Sequence, residues 1–332
     1  MVKRKSPLTR IVGTIALPLA MFVIMFILCR ANGKDYYGTW DMWKNIIVNV
    51  GLSVTCAMGI SIQFKCGRFD FSGGAIMLLS AIIAGNIAQK MGNSVPMMIL
   101  LCVGCCLVFS LLVALFYVFG RVPIVITTIG FALLYESVTC LIYGGRGVNL
   151  VSNMTLRLFY TYPYVLIPML LGIGIYAFFS YCTVAGKHAQ LLSNNQQSAV
   201  NIGINEKKNV IISYVFSGLI FGVATLIYIA ADLRGGAFTS MSTVGELFSN
   251  ILPVFIGLIV GTFCGDTIGT IVGALTLCLM SYGLTAVFKN ELGASISTIC
   301  MGVFILLINI VDAQGGKITK LFRGKPKEEV PQ

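Results

Sequence analysis

Apolar runs long enough to cross a bilayer recur from one end of this chain to the other. About ten of them reach the ~20 residues that a helix needs to span the hydrocarbon core: 11–29, 45–62, 74–90, 96–119, 124–143, 163–182, 209–231, 247–263, 267–286 and 293–311. Only 11% of the 332 residues are charged and 57% are hydrophobic, whereas a water-soluble domain carries about 25% charge. The chain therefore lacks the charge to cover a water-facing surface. In lipid only helices and closed barrels satisfy every backbone polar group, and the alternation of a barrel is absent. The expected fold is all-α: a polytopic membrane protein with about ten transmembrane helices. The 36 glycines suit close helix packing in lipid. The first run is too long for a signal-peptide core and no small-residue cleavage site follows it, so it is read as retained.

Basic residues give the orientation. With both termini inside, the cytosolic breaks hold 15 of the 23 lysines and arginines, among them Lys3, Arg4, Lys5, Lys65, Arg68, Arg121, Lys207 and Lys208. This is the positive-inside pattern, and basic ends on both sides of the chain favour an even number of spans. The net charge of +11 is then a topology signal that needs no nucleic acid to explain it. The expected organisation is one transmembrane permease domain over 1–316 and a basic cytosolic tail over 317–332.

Catalytic chemistry has little to stand on. The single histidine, His188, lies in a polar stretch. There is no G-x-x-x-x-G-K-[ST], no G-x-S-x-G and no H-E-x-x-H. The chain is not expected to be an enzyme or to need a cofactor or metal. Cys102-Val-Gly-Cys105-Cys106 has a metal-like spacing but lies mid-helix with no partner pair, and the eleven cysteines read as packing residues.

Polar groups inside or beside apolar runs are costly and point to function. Asp70 sits in CGRFDFSGG, where Gly67, Gly73 and Gly74 let a helix stop and restart. It reads equally as a helix cap salt-bridged to Arg68 or as part of a transport path. Glu136 lies inside the fifth run with no charged neighbour, and a buried structural hydrogen bond competes with a substrate contact there. Glu246 opens the eighth run, and Asp266, between Gly265 and Thr267, reads as a cap or loop residue. Each half of the chain holds a Gly-rich break bearing an acid, which suggests two pseudo-repeated halves with broken helices near the midplane.

The longest polar island, Ala185 to Lys208, separates two apolar runs near the middle of the chain. Such a segment is suited to a cytosolic partner.

Four segments, in order, carry a family resemblance. They are Asp70-Phe71-Ser72-Gly73-Gly74; Pro123 to Gly130, with Thr127 and Thr128, followed by Gly144-Gly145; Asn195, Ala199, Gly203, Ile204 and Asn205; and Gly269 to Ala274, preceded by Glu246-Leu247. Over about residues 45–311 the chain resembles the membrane permease of ribose-type ABC importers, the group that serves ribose, xylose, galactose, autoinducer-2 and some nucleosides. The resemblance implies a multi-pass protein of the bacterial plasma membrane that takes up a small polar solute, most simply a monosaccharide. It also implies three partners: a cytosolic ATPase that binds the ATP, an extracellular solute-binding protein, and a second permease subunit, identical or different. Asp70, Ser72, Thr127, Thr128 and Glu136 are the expected substrate path. Asn195, Ala199, Gly203, Ile204 and Asn205 are the expected ATPase-coupling residues, within a coupling segment of about 185–208.

Two departures mark this chain. Glu136-Ser137 stands where the family commonly has arginine and glycine, and Pro253 interrupts a segment that is therefore expected to be a broken helix. A branched-chain amino acid permease, which shares the fold, and an ion-gradient-driven transporter using Asp70 or Glu136 stay open as alternatives.

Overall fold

A computed structural model describes residues 7–194, 196–231, 241–288, 295–307 and 310. It is built from α1 (Pro7–Ala31), α2 (Trp40–Lys65), α3 (Gly73–Lys90), α4 (Val95–Gly120), α5 (Ile124–Leu141), α6 (Leu166–Ala177), α7 (Val184–Asn194), α8 (Gln196–Asn201), α9 (Glu206–Ala231), α10 (Ser242–Cys264) and α11 (Asp266–Val287). A shorter apolar helix, α12 (Ser295–Leu307), stands at the tenth run. Among the described residues eight helices are long and apolar enough to cross a membrane, and no strand forms. A ninth candidate is α6 continued through a 70° bend into α7. The basic tail over 317–332 and Asn195 lie outside the described residues.

Local sequence explains where the helices begin and stop. Thr39 caps α2 by accepting from the Met42 amide. Pro96 occupies the first turn of α4, where its missing N–H costs nothing. At the other end Arg121 takes a left-handed conformation (φ 52°), and Pro123 follows. The bend after α6 runs through a π turn, Phe178–Cys182. There the Thr183 hydroxyl donates to the Phe179 carbonyl at 2.6 Å and accepts from the Gly186 amide at 3.0 Å. A Cβ on Gly186 would fall 2.1 Å from the Phe179 oxygen, so this turn excludes any side chain.

The interior is arranged around α9, which packs on α2, α3, α4 and α6. Small residues let the helices close up: Cβ atoms on Gly59 of α2 and Gly73 of α3 would lie 2.6 and 2.7 Å from the Phe221 ring of α9. The α10–α11 pair is tighter still, with the Gly269 Cβ position 2.3 Å from the Gly257 carbonyl oxygen. Outward faces of α1, α4 and α5 expose Leu19, Ile24, Phe116, Phe119 and Ile126, as lipid contact requires.

The break expected at Pro253 does not occur. α10 runs unbroken from Ser242 to Cys264 with Pro253 inside it. Close packing on α11, where a Gly273 Cβ would meet the Pro253 oxygen at 2.5 Å, keeps the helix continuous despite the lost amide.

Candidate functional site

The polar island folds as α7 and α8, and Leu192, Ala199 and Ile204 bury against one another to give it a small core of its own. Its end is a helix stop followed at once by a helix start. The Ile204 amide donates back to the Ala199 carbonyl at 3.1 Å while Gly203 takes φ 92°, the wrapped C-terminal cap that favours glycine. Asn205 then accepts from the Lys208 amide at 3.1 Å and caps α9. The G-I-N pattern is thus a cap, an anchoring apolar contact and a second cap. Leu191, Val200 and Ile202 remain exposed on this otherwise polar segment.

Above it lies the break between α2 and α3. Arg68 is buried there and reaches Gln63 Oε1 at 3.2 Å, Asn209 Oδ1 at 3.3 Å and Ser213 Oγ at 2.8 Å. Asn209 in turn donates to the Ala185 carbonyl of α7 at 2.9 Å. The Arg68–Asp70 salt bridge allowed for in the sequence is absent, because the guanidinium is taken up by these neutral groups of α2 and α9. Asp70 instead closes a turn onto Ser72: its Oδ1 accepts from the Ser72 amide at 2.8 Å and hydroxyl at 2.6 Å. Asp70 Oδ2 and the Tyr214 hydroxyl are buried without a hydrogen bond of ordinary geometry. Burial pushes the Asp70 carboxyl above its ordinary 3.8, and the Ser72 hydroxyl and amide, Tyr214 and Arg68 pull the other way.

Glu136 is held elsewhere. It is 1% exposed, and its carboxylate accepts from the Met241 amide at 2.8 Å, the Thr243 amide at 2.9 Å and the Thr243 hydroxyl. It therefore caps the N-terminus of α10 from a neighbouring helix, where a negative charge meets unpaired amides and the positive end of the helix dipole. Thr127 and Thr128 back-bond to Pro123 and Val125 on their own helix, each at 3.2 Å. The two acids are linked through backbone: Gly74, two residues past Ser72, packs so closely on Thr243 that a Cβ would lie 2.6 Å from the Thr243 oxygen. The starts of α3 and α10, the two Gly-rich acid-bearing breaks, thus meet.

Beside this junction α2, α3, α9 and α10 line an open cavity of about 430 Å³. Leu52, Met77 and Leu247 supply apolar walls, and Tyr228, Glu246, Ser249 and Asn250 supply polar ones. The Tyr228 hydroxyl donates to Glu246 Oε2 at 3.3 Å. None of the five expected path residues lines this space; Asp70 and Ser72 approach it through Gly74 and Glu136 through Thr243, while Thr127 and Thr128 stay on α5. The signal that could have located it is Glu246 with Ser249 and Asn250 three and four residues on, one polar stripe in an apolar run. Asp266 is not the cap: Gly265 holds that position, and Asp266 is the first residue of α11, its carboxylate paired with Lys65 at 2.9 Å.

Over residues 42–309 the sequence matches the family described as branched-chain amino acid transport system / permease component. The chain is similar to the ribose import permease protein of Escherichia coli (strain K12), 27% identical over 89% of this chain and 92% of that protein. It is also similar to the fructose import permease protein of Bifidobacterium longum (24%, over 90% and 93%) and to the galactose/methyl galactoside import permease protein of Escherichia coli (22%, over 74% and 80%).

Proposed function

The chain belongs to the branched-chain amino acid transport system / permease component family, a family of multi-pass membrane proteins, and from that premise we propose that it is the membrane permease subunit of an ABC importer for a monosaccharide. The observation that carries the reading is the α7–α8 segment. A polar, self-packed, doubly capped element that leaves Leu191, Val200 and Ile202 exposed is built to be covered by a partner. An ATPase is the partner that a permease with no phosphate-binding loop requires. Ala199, Gly203, Ile204 and Asn205, with Asn195, are the coupling residues in this reading, and ATP stays on the partner. An extracellular binding protein delivers the solute, a second permease subunit completes the pore, and both termini face the cytosol.

The similarity to ribose, fructose and galactose import permeases supports a sugar over an amino acid. The cavity beside the α3–α10 junction suits a neutral polyol. Glu246 and Asn250 can accept hydroxyl protons, and the apolar faces of Leu52 and Met77 match the C–H faces of a ring. Rigid-body movement of the halves about this junction would turn the cavity from one side to the other.

A mild-detergent pull-down of the tagged chain from its native membrane, read by mass spectrometry, tests the assembly. Recovery of an ATPase and a solute-binding protein carrying a monosaccharide is the expected outcome. A bound branched-chain amino acid would move the substrate assignment. Recovery of the chain alone, with uptake that collapses under an uncoupler at constant ATP, would replace the reading with a gradient-driven transporter.

A further inference from the structure

The first helix meets the α10–α11 turn where the Phe263 ring lies against Gly13, whose Cβ position is 2.6 Å from the ring. Next to this contact an open cavity of about 570 Å³ separates the start of α1 from the turn. It lies at the end of the bundle that carries α7 and α8: Asp266 pairs there with Lys65 of α2, and two residues on a Gly67 Cβ would sit 3.2 Å from the Ser193 Cα of α7. The cavity's own lining divides into three chemistries. Arg10 supplies an exposed guanidinium that makes no hydrogen bond or ion pair among the described residues. Thr14 and Thr262 donate their hydroxyl protons at 2.8 and 2.9 Å to the Arg10 and Ile259 carbonyls, so toward a ligand their oxygens are acceptors. Ile11, Ile15 and Ile268 line the same space and are 58%, 51% and 50% exposed. Leu19, four residues past Ile15 and 57% exposed, continues this apolar stripe along α1. No carboxylate lines the cavity, and Asp266, next in the chain to Gly265, is held by Lys65. One free cation above an apolar wall, at the end of a membrane span, is suited to a lipid with an anionic headgroup.

We propose that this cavity binds an anionic phospholipid of the phosphatidylglycerol type. The phosphate lies against Arg10, the headgroup glycerol donates to the Thr14 and Thr262 oxygens, and an acyl chain runs along Ile11, Ile15 and Leu19. The lining selects among headgroups. A zwitterionic lipid brings an ammonium into a space that offers a guanidinium and no carboxylate. A choline headgroup also has no N–H or O–H for the two threonine oxygens. The site needs only that the chain spans a membrane, so it stands apart from the proposed transport function. Its position has a consequence: a lipid held there bridges α1 to the α10–α11 turn, beside the Asp266–Lys65 pair that ties this turn to α2.

The test uses the full-length chain, stripped of lipid in detergent, monodisperse by size exclusion, and titrated with dioleoyl phosphatidylglycerol, phosphatidylethanolamine or phosphatidylcholine. Native mass spectrometry counts the bound lipid. Phosphatidylglycerol is expected to be retained about tenfold more tightly than either zwitterionic lipid, and Arg10→Gln to level the three. Arg10 is exposed, so that substitution does not threaten folding. Thr262→Val keeps the side chain's size, removes one acceptor, and is expected to weaken phosphatidylglycerol roughly fivefold. Arg121→Gln, at an exposed cation outside the cavity, is expected to change nothing. Equal retention of all three lipids by the wild-type protein, a preference that survives Arg10→Gln, or one lost to the same extent in Arg121→Gln overturns the proposal. An unchanged Thr262→Val protein overturns the part assigned to the headgroup glycerol. Displacement of the lipid by millimolar inorganic phosphate or glycerophosphoglycerol overturns its membrane part and makes the site one for a soluble phosphate.

Discussion

Asn209 and Ala185 are joined by a hydrogen bond of 2.9 Å from the side-chain amide to the backbone carbonyl, and the Asn209 oxygen also receives Arg68 at 3.3 Å. One side chain thus ties α7 to the break between α2 and α3. Asn209→Ala removes both links and leaves Arg68 short of a partner in a buried site. A loss of about 2 kcal/mol in stability is expected, read as a lowered Tm of the detergent-purified protein. Transport should fall further than stability, because the tether joins the α7–α8 segment to the pore. A variant that transports at the wild-type rate would exclude Asn209 from any coupling role.

Gly74 meets Thr243 at the junction of the two helix starts. Gly74→Ala places a methyl group 2.6 Å from a carbonyl oxygen that cannot swing aside. The cost of overpacking is about 1–3 kcal/mol. Gly130→Ala, which meets nothing within 4 Å, serves as the matched control and should be neutral or slightly stabilising. Equal Tm values for the two variants would show that the junction yields.

Glu136→Gln keeps the size of the side chain but turns one acceptor into a donor facing backbone amides. At least one of the bonds to Met241 and Thr243 must be lost, together with the charge on the α10 dipole. About 2 kcal/mol of destabilisation is expected, with faster hydrogen exchange at the first turn of α10. Were Glu136 to act on substrate alone, uptake would change and exchange would not.

Burial holds the Asp70 carboxyl above its ordinary 3.8, so the folded protein keeps a proton that the unfolded chain has already released. Stability from this group is therefore full below 3.8 and declines as pH rises through the folded value. Asp70→Asn retains an acceptor for the Ser72 amide and should flatten that slope. Tm measured upward from pH 4 in both proteins checks the sign; a wild-type curve that rises over this interval would contradict it.

The all-helical membrane architecture, the polar island as a separate segment and the break at GRFDFSGG could be read in the sequence, because membrane solvation leaves a one-dimensional imprint of span length and charge. Gly203 and Asn205 stood out through the family pattern alone, and the structure gives each a local reason, since one ends α8 and the other caps α9. What the chain alone did not reveal was which distant groups meet. Nothing near Glu136 in sequence points to Thr243, more than a hundred residues away, and nothing near Arg68 points to Asn209 and Ser213 instead of Asp70. Pro253 misled for a related reason, since the neighbouring glycines of α11 support a helix that the proline alone would interrupt. The cavity by Glu246 was missed because three of its four walls belong to other helices.

The close contact of α10 with α11 also has an electrical meaning. With backbone atoms of Gly257 and Gly269 nearly touching, no water file fits between these helices. Each elementary charge crossing a potential of 100 mV releases about 2.3 kcal/mol, so a wet seam here would short-circuit the membrane with protons. The glycines make the α10–α11 seam an insulator, and a bulkier residue at 257 or 269 would be expected to reveal itself as a leak before it abolished transport.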